Sequence, residues 1–477
     1  MESLLALAPL LSVVGGALAA LLLEAFLRKK GSELPAGLAV AALVAAGFFT
    51  IVSWDRAGLG YFGGRLVFDA TARLLTAIVI VLGVFVVLMS LRYAEQQGLN
   101  LGQLCGLLLL AVAGLMIMVS TGDWLIVFLG LEVLSVASYG LTGLDRNDKA
   151  SSEAAAKYFL MGSFAAAFFV FGLALVFGAS GRLDLVGDLV KGAALSDPGS
   201  AVLAGLGLIG TALFFKIAVA PFHMWAPDVY EGAPTPVTVF LTIAPKAAGL
   251  AVLMRAFSPL LRSGAGSAVL SPVFSVAAVL TMFAGNLAAL RQTSVKRLLA
   301  YSAIAHSGYL LVAIVAGDPP GLVFYLAVYL FMNAGAFGVL LALSGRGSER
   351  PSLDDLAGLG RRKPWLAASL AVFLLSLAGF PPTAGFLAKF YVFGAAVREG
   401  HVWLAVAAVL ASLVSVAYYL KIVVVMYMQD GEAEMEAGRE DPALYLVIFL
   451  CLFGVVQLGL WPGNLLTVIR QAFPGPF

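Results

Sequence analysis

Charged side chains are scarce in this 477-residue chain: Asp, Glu, Lys and Arg make up only 12% of the residues, whereas hydrophobic residues make up 61%. Soluble domains carry about 25% charged and about 45–50% apolar residues. The shortage of charge therefore excludes an ordinary soluble domain and predicts an integral membrane protein. A net charge of +2 offers no basic surface for nucleic acid.

Cysteine and histidine are also rare, with two and three residues. So few thiols and imidazoles exclude a cysteine-bound iron–sulfur centre and paired haem ligands in this chain. Cys105 and Cys451 lie far apart in apolar runs, which predicts buried core residues rather than a disulfide or metal site. The string GLGLIG at 205–210 resembles a dinucleotide fingerprint but follows no predicted strand, so we interpret it as a place of close helix packing.

The N-terminal run MESLLALAPLLSVVGGALAALLLEAF could be taken for a signal peptide. It carries Glu2 where a signal peptide has basic residues, and the basic cluster Arg28, Lys29 and Lys30 follows the run instead. The run is also longer than the roughly 7–15 apolar residues of a signal sequence. We predict a retained first span with its N-terminus outside.

Apolar runs along the chain predict an all-α membrane protein with about 14 transmembrane helices, at about 20 residues for each span. The period-2 alternation of a membrane β-barrel is absent. The predicted spans are 4–27, 36–54, 70–91, 103–120, 124–144, 156–179, 201–223, 235–257, 270–290, 297–316, 320–343, 365–397, 402–427 and 443–469. We divide this single polytopic domain into N-terminal spans (1–102), a first repeat (103–257), a second repeat (270–427) and a C-terminal span (428–477).

Basic residues of the predicted loops concentrate on one side of the membrane. Arg146, Lys149, Lys296, Arg361 and Arg362 are among those on the richer side. The positive-inside rule makes that side cytoplasmic. Both termini are therefore predicted on the outer, periplasmic face of a bacterial inner membrane.

Four ionisable residues fall inside the predicted spans: Glu132, Lys216, Lys246 and Lys389. Snorkelling of a long side chain to the interface is the structural alternative. It suits residues near span ends, but a short carboxylate at Glu132 and lysines deep in their spans cannot reach the interface easily. Intramembrane charges usually face a bundle interior or a water-filled cavity, which favours a functional site.

Prolines lie close to these lysines. Pro221 falls in span 7 with Lys216, and Pro381 and Pro382 fall in span 12 with Lys389. Each proline removes a backbone donor and disrupts a helix. Spans 7 and 12 are therefore predicted to be discontinuous, and their freed carbonyls can stabilise an ammonium group.

The placement of the two broken spans predicts an internal repeat. Spans 4–8 and 9–13 form two groups of five, and each group carries its lysine on its fourth helix. Because five is odd, the second group enters the membrane from the opposite face. This is the inverted-repeat layout of secondary transporters.

Four motifs resemble the antiporter-like subunit family of the proton-pumping NADH:quinone oxidoreductase, respiratory complex I. They are KASSEAAAKYFLMGSFAAAFFVFGLALVFGASG, FKIAVAPFHMWAPDVYEGAPTPVTVFL, QTSVKRLLAYSAIAHSGYLL and GFPPTAGFLAKFYVF. Subunit N fits best among the members, because subunit M usually has a glutamate at the position of Lys389 and subunit L adds a long lateral helix. The resemblance implies two inverted five-helix repeats and proton transport across the membrane.

The resemblance also implies roles for individual residues. Glu132, Lys216, Lys246 and Lys389 match the proton-transfer residues of the family, and His223 and His306 match histidines of a possible relay. It implies that no cofactor is bound by this chain, and that NADH, FMN, iron–sulfur clusters and quinone belong to partner subunits. Subunits M and K are the neighbours expected. The alternative is a subunit of a multi-subunit cation/proton antiporter that has no redox activity.

Overall fold

The computed structural model describes residues 2–27, 32–54, 60–185, 200–262, 264–344, 351–431 and 441–473, and helices account for most of them. The helices are α1 (Glu2–Leu27), α2 (Leu34–Val52), α3 (Ala70–Gln97), α4 (Leu101–Val119), α5 (Trp124–Thr142), α6 (Lys149–Ser180), α7 (Ser200–Lys216), α8 (Trp225–Gly232), α9 (Thr235–Leu261), α10 (Gly264–Ala289), α11 (Val295–Ala316), α12 (Pro319–Leu343), α13 (Leu359–Arg362), α14 (Pro364–Ala378), α15 (Ala384–Arg398), α16 (Val402–Met428), α17 (Pro442–Leu460) and α18 (Gly463–Ala472). Two short antiparallel strands, β1 (Gly60–Tyr61) and β2 (Leu66–Val67), connect α2 to α3, and a 3-10 turn covers Asp354–Leu356. The all-α prediction is confirmed.

Within the described part of the chain, 12 helices are long and apolar enough to cross a membrane. The two predicted spans outside this set are span 7, with Pro221, and span 12, with Pro381 and Pro382. Span 12 consists of α14 and α15. The predicted span 7, at 201–223, contains α7 and ends inside the break that precedes α8. The predicted discontinuities are therefore present, at the positions where proline withholds a backbone donor.

The prediction for the last span is wrong at its C-terminal end. The predicted span 443–469 is divided in the structure, because α17 ends at Leu460 and α18 begins at Gly463. Pro462 stands at the N-cap of α18. Its ring disfavours helical backbone at the preceding residue, Trp461, so the apolar run cannot continue as one helix.

Polar residues between the apolar runs define where many helices begin. At seven helices the side chain of the N-cap residue accepts a hydrogen bond from a backbone N–H of the first turn. This bond satisfies a donor that the helix leaves free. The caps are Asp69, Asn100, Asp123, Asp148, Ser294, Asp318 and Asp441.

The centre of the bundle is formed by α9, α11 and α12. In the most apolar stretch of each of these helices, 100%, 94% and 89% of the residues are buried. In the corresponding stretch of α6 only 33% are buried. Lys246 and His306 belong to two of these central helices, so the sequence places ionisable groups where the bundle is most enclosed. The two cysteines are free and buried in α4 and α17, which confirms the prediction for them.

The glycine-rich string 205–210 packs closely against a neighbouring helix, as predicted. A Cβ atom at Gly205 would lie 2.7 Å from the carbonyl oxygen of Gly172 in α6, and one at Gly172 would lie 2.6 Å from that of Gly205. The lack of side chains at both residues therefore allows α6 and α7 to approach each other at backbone distance.

Candidate functional site: a row of buried lysines

The first helix break lies between Lys216, the last residue of α7, and Trp225, the first residue of α8. It contains Pro221, whose peptide bond is cis. Two side chains donate hydrogen bonds to backbone carbonyls at this break. Trp225 donates its indole N–H to the Phe215 carbonyl at 2.9 Å, and Ser307 of α11 donates its hydroxyl to the Ile217 carbonyl at 2.6 Å. The break is thus stabilised by helices packed around it, as irregular backbone at membrane depth requires.

Lys216 is buried, with 3% of its surface exposed. Its Nζ donates to Ser135 Oγ of α5 at 2.8 Å and lies 3.5 Å from the hydroxyl of Tyr158. The Tyr158 ring stacks on Trp225 with the ring centroids 4.5 Å apart. The ammonium group therefore has polar partners from α5 and α6 and an aromatic wall on the side of α8.

Glu132 lies on α5, one helical turn before Ser135, and is half-buried. Its Oε1 is enclosed and has no hydrogen-bond partner among the described residues. The structure brings Glu132 and Lys216 into one site but does not join them: Lys216 binds Ser135 instead. Among the described residues, no ion pair joins the carboxylate of Glu132 to the ammonium of Lys216.

The second break separates Ala378, which ends α14, from Ala384, which begins α15. Pro381 and Pro382 lie in it, joined by a cis peptide bond. Lys389 Nζ donates to the Leu377 and Ala378 carbonyls, both at 2.9 Å, and to Ser412 Oγ of α16 at 2.8 Å. The prediction that a freed carbonyl stabilises an ammonium is confirmed here. It is not confirmed at the first break, because the described hydrogen bonds of Lys216 go to side chains.

Lys246 and His306 occupy the enclosed centre between the two breaks. Lys246 has no exposed surface and donates to the Ala303 carbonyl of α11. His306 forms a hydrogen bond with the Tyr325 hydroxyl through Nδ1, at 2.8 Å. The ring of Tyr329 lies 5.5 Å from Lys246 Nζ and 4.9 Å from the His306 ring. The two groups therefore share one aromatic neighbour.

Further contacts connect this centre to both broken helices. The Tyr309 ring lies 5.5 Å from the His306 ring and 5.0 Å from Lys389 Nζ. On the other side, the Ser307 hydroxyl lies 3.3 Å from the Ala303 carbonyl, which also accepts from Lys246, and it donates to Ile217 beside Lys216. The structure thus joins Lys216, Lys246, His306 and Lys389 in one row of contacts, which we call the lysine row.

His223 lies in the first break but outside this row. It is half-buried, and its Nδ1 has no hydrogen-bond partner in the part of the chain that the structure describes. Among the described residues, no hydrogen bond connects it to the lysines. The structure therefore separates the two predicted relay histidines: His306 lies in the row and His223 at its edge.

Sequence reasoning missed the residues that connect the lysines: Ser135, Ser307, Tyr309, Tyr329 and Ser412. The signal for Ser307 and Tyr309 was available, since the apolar span 297–316 contains the unusually polar string AYSAIAHSGY. Hydroxyl and imidazole groups at one-turn intervals on a fully buried helix need partners, and here they find them on other helices.

A second polar cluster lies on the rim of the first break. Asp228 of α8 pairs with Lys157 of α6 at 2.7 Å and with Arg297 of α11 at 2.9 Å. Arg297 also pairs with Glu231 at 2.7 Å. These four residues, which we call the rim cluster, connect α8 to a helix of each predicted repeat.

Known proteins share both the sequence and this architecture. Residues 121–415 match the family model described as NADH:quinone oxidoreductase/Mrp antiporter, TM. NADH-quinone oxidoreductase subunit N of Trichlorobacter lovleyi is 40% identical over 97% of this chain and 95% of its own length. The chain belongs to the subunit N family of NADH-quinone oxidoreductase.

Two solved structures have the same fold as this chain. A chain of respiratory complex I from Thermus thermophilus superposes with a TM-score of 0.82 at 32% identity, covering 96% of this chain and 98% of that one. A chain of the Mrp complex from Dietzia has the same fold, with a TM-score of 0.82 at 22% identity over 98% and 96% of the two chains. The subunit N family is thus one branch of a wider fold, and sequence identity places the chain in that branch.

Proposed function

We propose that this chain is the proton-translocating, antiporter-like subunit N of a bacterial NADH:quinone oxidoreductase. Electron transfer from NADH to quinone takes place in other subunits, and this chain moves protons across the inner membrane in response. The observation that carries the proposal is the lysine row, a continuous series of buried ionisable groups between two broken helices. Buried charges in a membrane are costly, so a series of them favours a functional role over structural ion pairing.

The chemistry of the row suits proton transfer. Burial disfavours the charged form of a lysine, whereas a nearby carboxylate favours it. Movement of Lys216 from Ser135 to Glu132 would therefore change how strongly Lys216 holds its proton. Lys246 and His306 then pass the charge toward Lys389, with water bridging the gaps between groups that contact only through aromatic rings. Pairing and separation of Glu132 and Lys216 act as the gate.

We further propose the surroundings of the chain in the assembled enzyme. Both termini lie on the periplasmic face, and the neighbours are membrane subunits M and K. NADH, FMN, iron–sulfur clusters and quinone are bound by partner subunits, and this chain holds no redox site. The cation/proton antiporter alternative is not favoured, because the relatives near 40% identity are oxidoreductase subunits, whereas the Mrp chain reaches 22%.

The test uses the complete enzyme reconstituted in proteoliposomes, with proton uptake measured per NADH oxidised. Glu132→Ala and Lys216→Ala should each slow proton transfer by about tenfold or more, as expected when an activation barrier rises by more than about 1.4 kcal/mol. Subunit content is checked by mass spectrometry. The conservative surface change Glu95→Gln is the matched control, since its ion pair with Arg92 is exposed and lies on α3, outside the lysine row.

Two results decide the proposal. Complexes of normal composition that carry Glu132→Ala or Lys216→Ala and still pump at the wild-type ratio would refute the gate. Sodium-dependent transport by the chain without any oxidoreductase subunits would instead support the antiporter alternative.

A further inference from the structure

Two backbone groups of the first break bind side chains of helices that lie later in the chain. The Ala220 N–H donates to Thr281 Oγ1 of α10 at 2.9 Å, and the Ile217 carbonyl accepts from Ser307 Oγ of α11 at 2.6 Å. Both helices belong to the predicted second repeat. The break of the first repeat is thus held by hydroxyl groups of the second.

Thr281 has the chemistry that its contact with the break requires. It is fully buried, and its hydroxyl donates to the Ala277 carbonyl, one turn earlier on α10, at 2.5 Å. Threonine in an apolar helix commonly binds its own helix in this way. Because the single hydroxyl hydrogen goes to Ala277, the oxygen remains free to accept from the Ala220 N–H.

Packing holds the break less firmly on the side of α10. An apolar groove of about 460 Å³ separates α7 and the break from α10, and its lining includes Gly210, Ala220, Val276 and Leu280. Atoms that line such a space lack packing partners on one side. The hydrogen bond between Ala220 and Thr281 joins the two walls of the groove, so it supplies an attachment that packing alone does not.

The position of Ala220 matters for Lys216, which ends α7 four residues earlier. Without its acceptor, the buried Ala220 N–H would be left unpaired, and the segment would shift toward another partner. Such a shift would displace the end of α7, from which Lys216 Nζ reaches Ser135 Oγ at 2.8 Å. The Thr281 hydroxyl therefore influences where the ammonium group lies.

We propose that Thr281 is a positioning residue for the Lys216 gate: its hydroxyl fixes the backbone of the first break and, through it, the end of α7 that carries Lys216. Thr281 acts through the N–H of Ala220 and does not carry the proton itself. The inference rests on the proposed function, in which Lys216 gates proton transfer. It makes the gate of the first repeat depend on a helix of the second.

The experiment compares Thr281→Val and Thr281→Ser in the complete reconstituted enzyme. Valine has the shape of threonine but cannot accept a hydrogen bond, whereas serine keeps the hydroxyl. In Thr281→Val, amide hydrogen exchange in residues 217–224 should become about fivefold faster, which corresponds to about 1 kcal/mol, the net worth of one hydrogen bond. Proton uptake per NADH oxidised should fall at least twofold, and Thr281→Ser should restore both quantities.

Thr50→Val on α2 is the matched control. Thr50 is also buried, and its hydroxyl donates to the Ala46 carbonyl one turn earlier at 2.8 Å, but α2 lies outside both predicted repeats. Neither quantity should change in this variant. If the Thr281→Val complex does not assemble, Thr281→Cys replaces it, because a thiol is of similar size and a weaker acceptor.

Three results would overturn the inference. They are wild-type exchange in the variant that lacks a good acceptor, an equal defect in Thr281→Ser, and faster exchange with an unchanged pumping ratio. The last result would make the Thr281 bond purely structural.

Lys216→Ala distinguishes this inference from the proposed function. Loss of pumping in Lys216→Ala, together with a wild-type pumping ratio in Thr281→Val, would refute only the role of Thr281. Undiminished pumping in Lys216→Ala would refute the gate on which the inference depends.

Discussion

Lys389 donates a hydrogen bond to the Leu377 carbonyl at 2.9 Å, across the break between α14 and α15. In a regular helix the N–H of residue 381 would bind this carbonyl, but Pro381 has no N–H to give. The lysine therefore occupies an acceptor that the proline leaves free. The break in the helix and the charge of the side chain form one unit.

Replacing Pro381 and Pro382 by alanine should separate stability from function. The variant restores two backbone donors that compete with Lys389 for the α14 carbonyls, so pumping should fall. Thermal stability of the complex should be unchanged or higher, because the restored N–H groups can bind the Leu377 and Ala378 carbonyls. Pro442→Ala is the control, since Pro442 stands at the start of α17, where proline fits. A loss of stability with an unchanged pumping ratio would contradict this prediction.

Substitutions at Lys389 should reduce proton pumping according to how well the new side chain donates hydrogen bonds to the surrounding acceptors. Lys389→Ala removes the ammonium donor from the Leu377 and Ala378 carbonyls, and pumping should fall by about tenfold or more. Lys389→Glu should be intermediate, because a carboxyl group binds protons but only its protonated form can donate to Leu377 or Ala378. Pumping rates of the two complexes, at equal subunit content, check the order. Equal activity in wild type and Lys389→Ala would make Lys389 a structural residue.

The rim cluster should restrain local opening of the segment 217–224, which forms the first break. Asp228→Asn weakens its pairs with Lys157 and Arg297, and because these groups are partly exposed, each pair is worth only about 0.2–1 kcal/mol. Amide hydrogen exchange in residues 217–224 should therefore become up to about fivefold faster, which corresponds to about 1 kcal/mol. The effect should shrink as salt is raised. Exchange that is unchanged at low salt would show that the pairs do not stabilise the break.

Asp318, the N-cap of α12, should make its first turn sensitive to pH. Burial raises the pKa of Asp318, an effect that the nearby charge of Arg398 reduces. Stability from a group with a raised pKa is present below the unfolded value, near 3.9, and is lost as pH rises through the folded value. Asp318→Asn keeps the acceptor for the Gly321 N–H without ionising.

Protection of the α12 amides against hydrogen exchange tests this prediction. Relative to wild type, Asp318→Asn should gain protection as pH rises above 4. Asp318→Ala should lose about 1 kcal/mol at every pH, because it has no cap. A pH-independent difference between wild type and Asp318→Asn would show that ionisation of Asp318 does not affect the helix.

The sequence predicts the lysines and the helix breaks because both are local rarities. A charge or a proline inside an apolar run contradicts its surroundings, and Lys216, Lys389, Pro221 and Pro381 could be identified without any contact. The partners of these groups could not be identified so directly. Lys216 binds Ser135, a residue 81 positions earlier in the chain, rather than the expected Glu132. Which hydroxyl reaches a lysine depends on helix rotation and packing, which local pattern does not determine.

The same distinction explains the error in the last span. Hydropathy alone extended the helix through Trp461 and Pro462, although a proline predicts a boundary from local sterics. Asn286 of α10 was missed for the opposite reason. It is a buried amide in an apolar span that also contains Ser275 and Thr281, and only its partners, Tyr309 on α11 and Ala411 on α16, distinguish it.

One helix, α11, touches the surroundings of all three lysines of the lysine row. Its Ala303 carbonyl binds Lys246, its Ser307 binds the residue after Lys216, and its Tyr309 lies beside Lys389. A rigid rod with three such attachments cannot adjust to one site and leave the others unchanged. Substitutions far apart along α11 should therefore fail to combine additively, and a compensating change at one lysine should arise at another lysine's contacts. We therefore expect substitutions at the three lysines of the row to have coupled effects on proton transport.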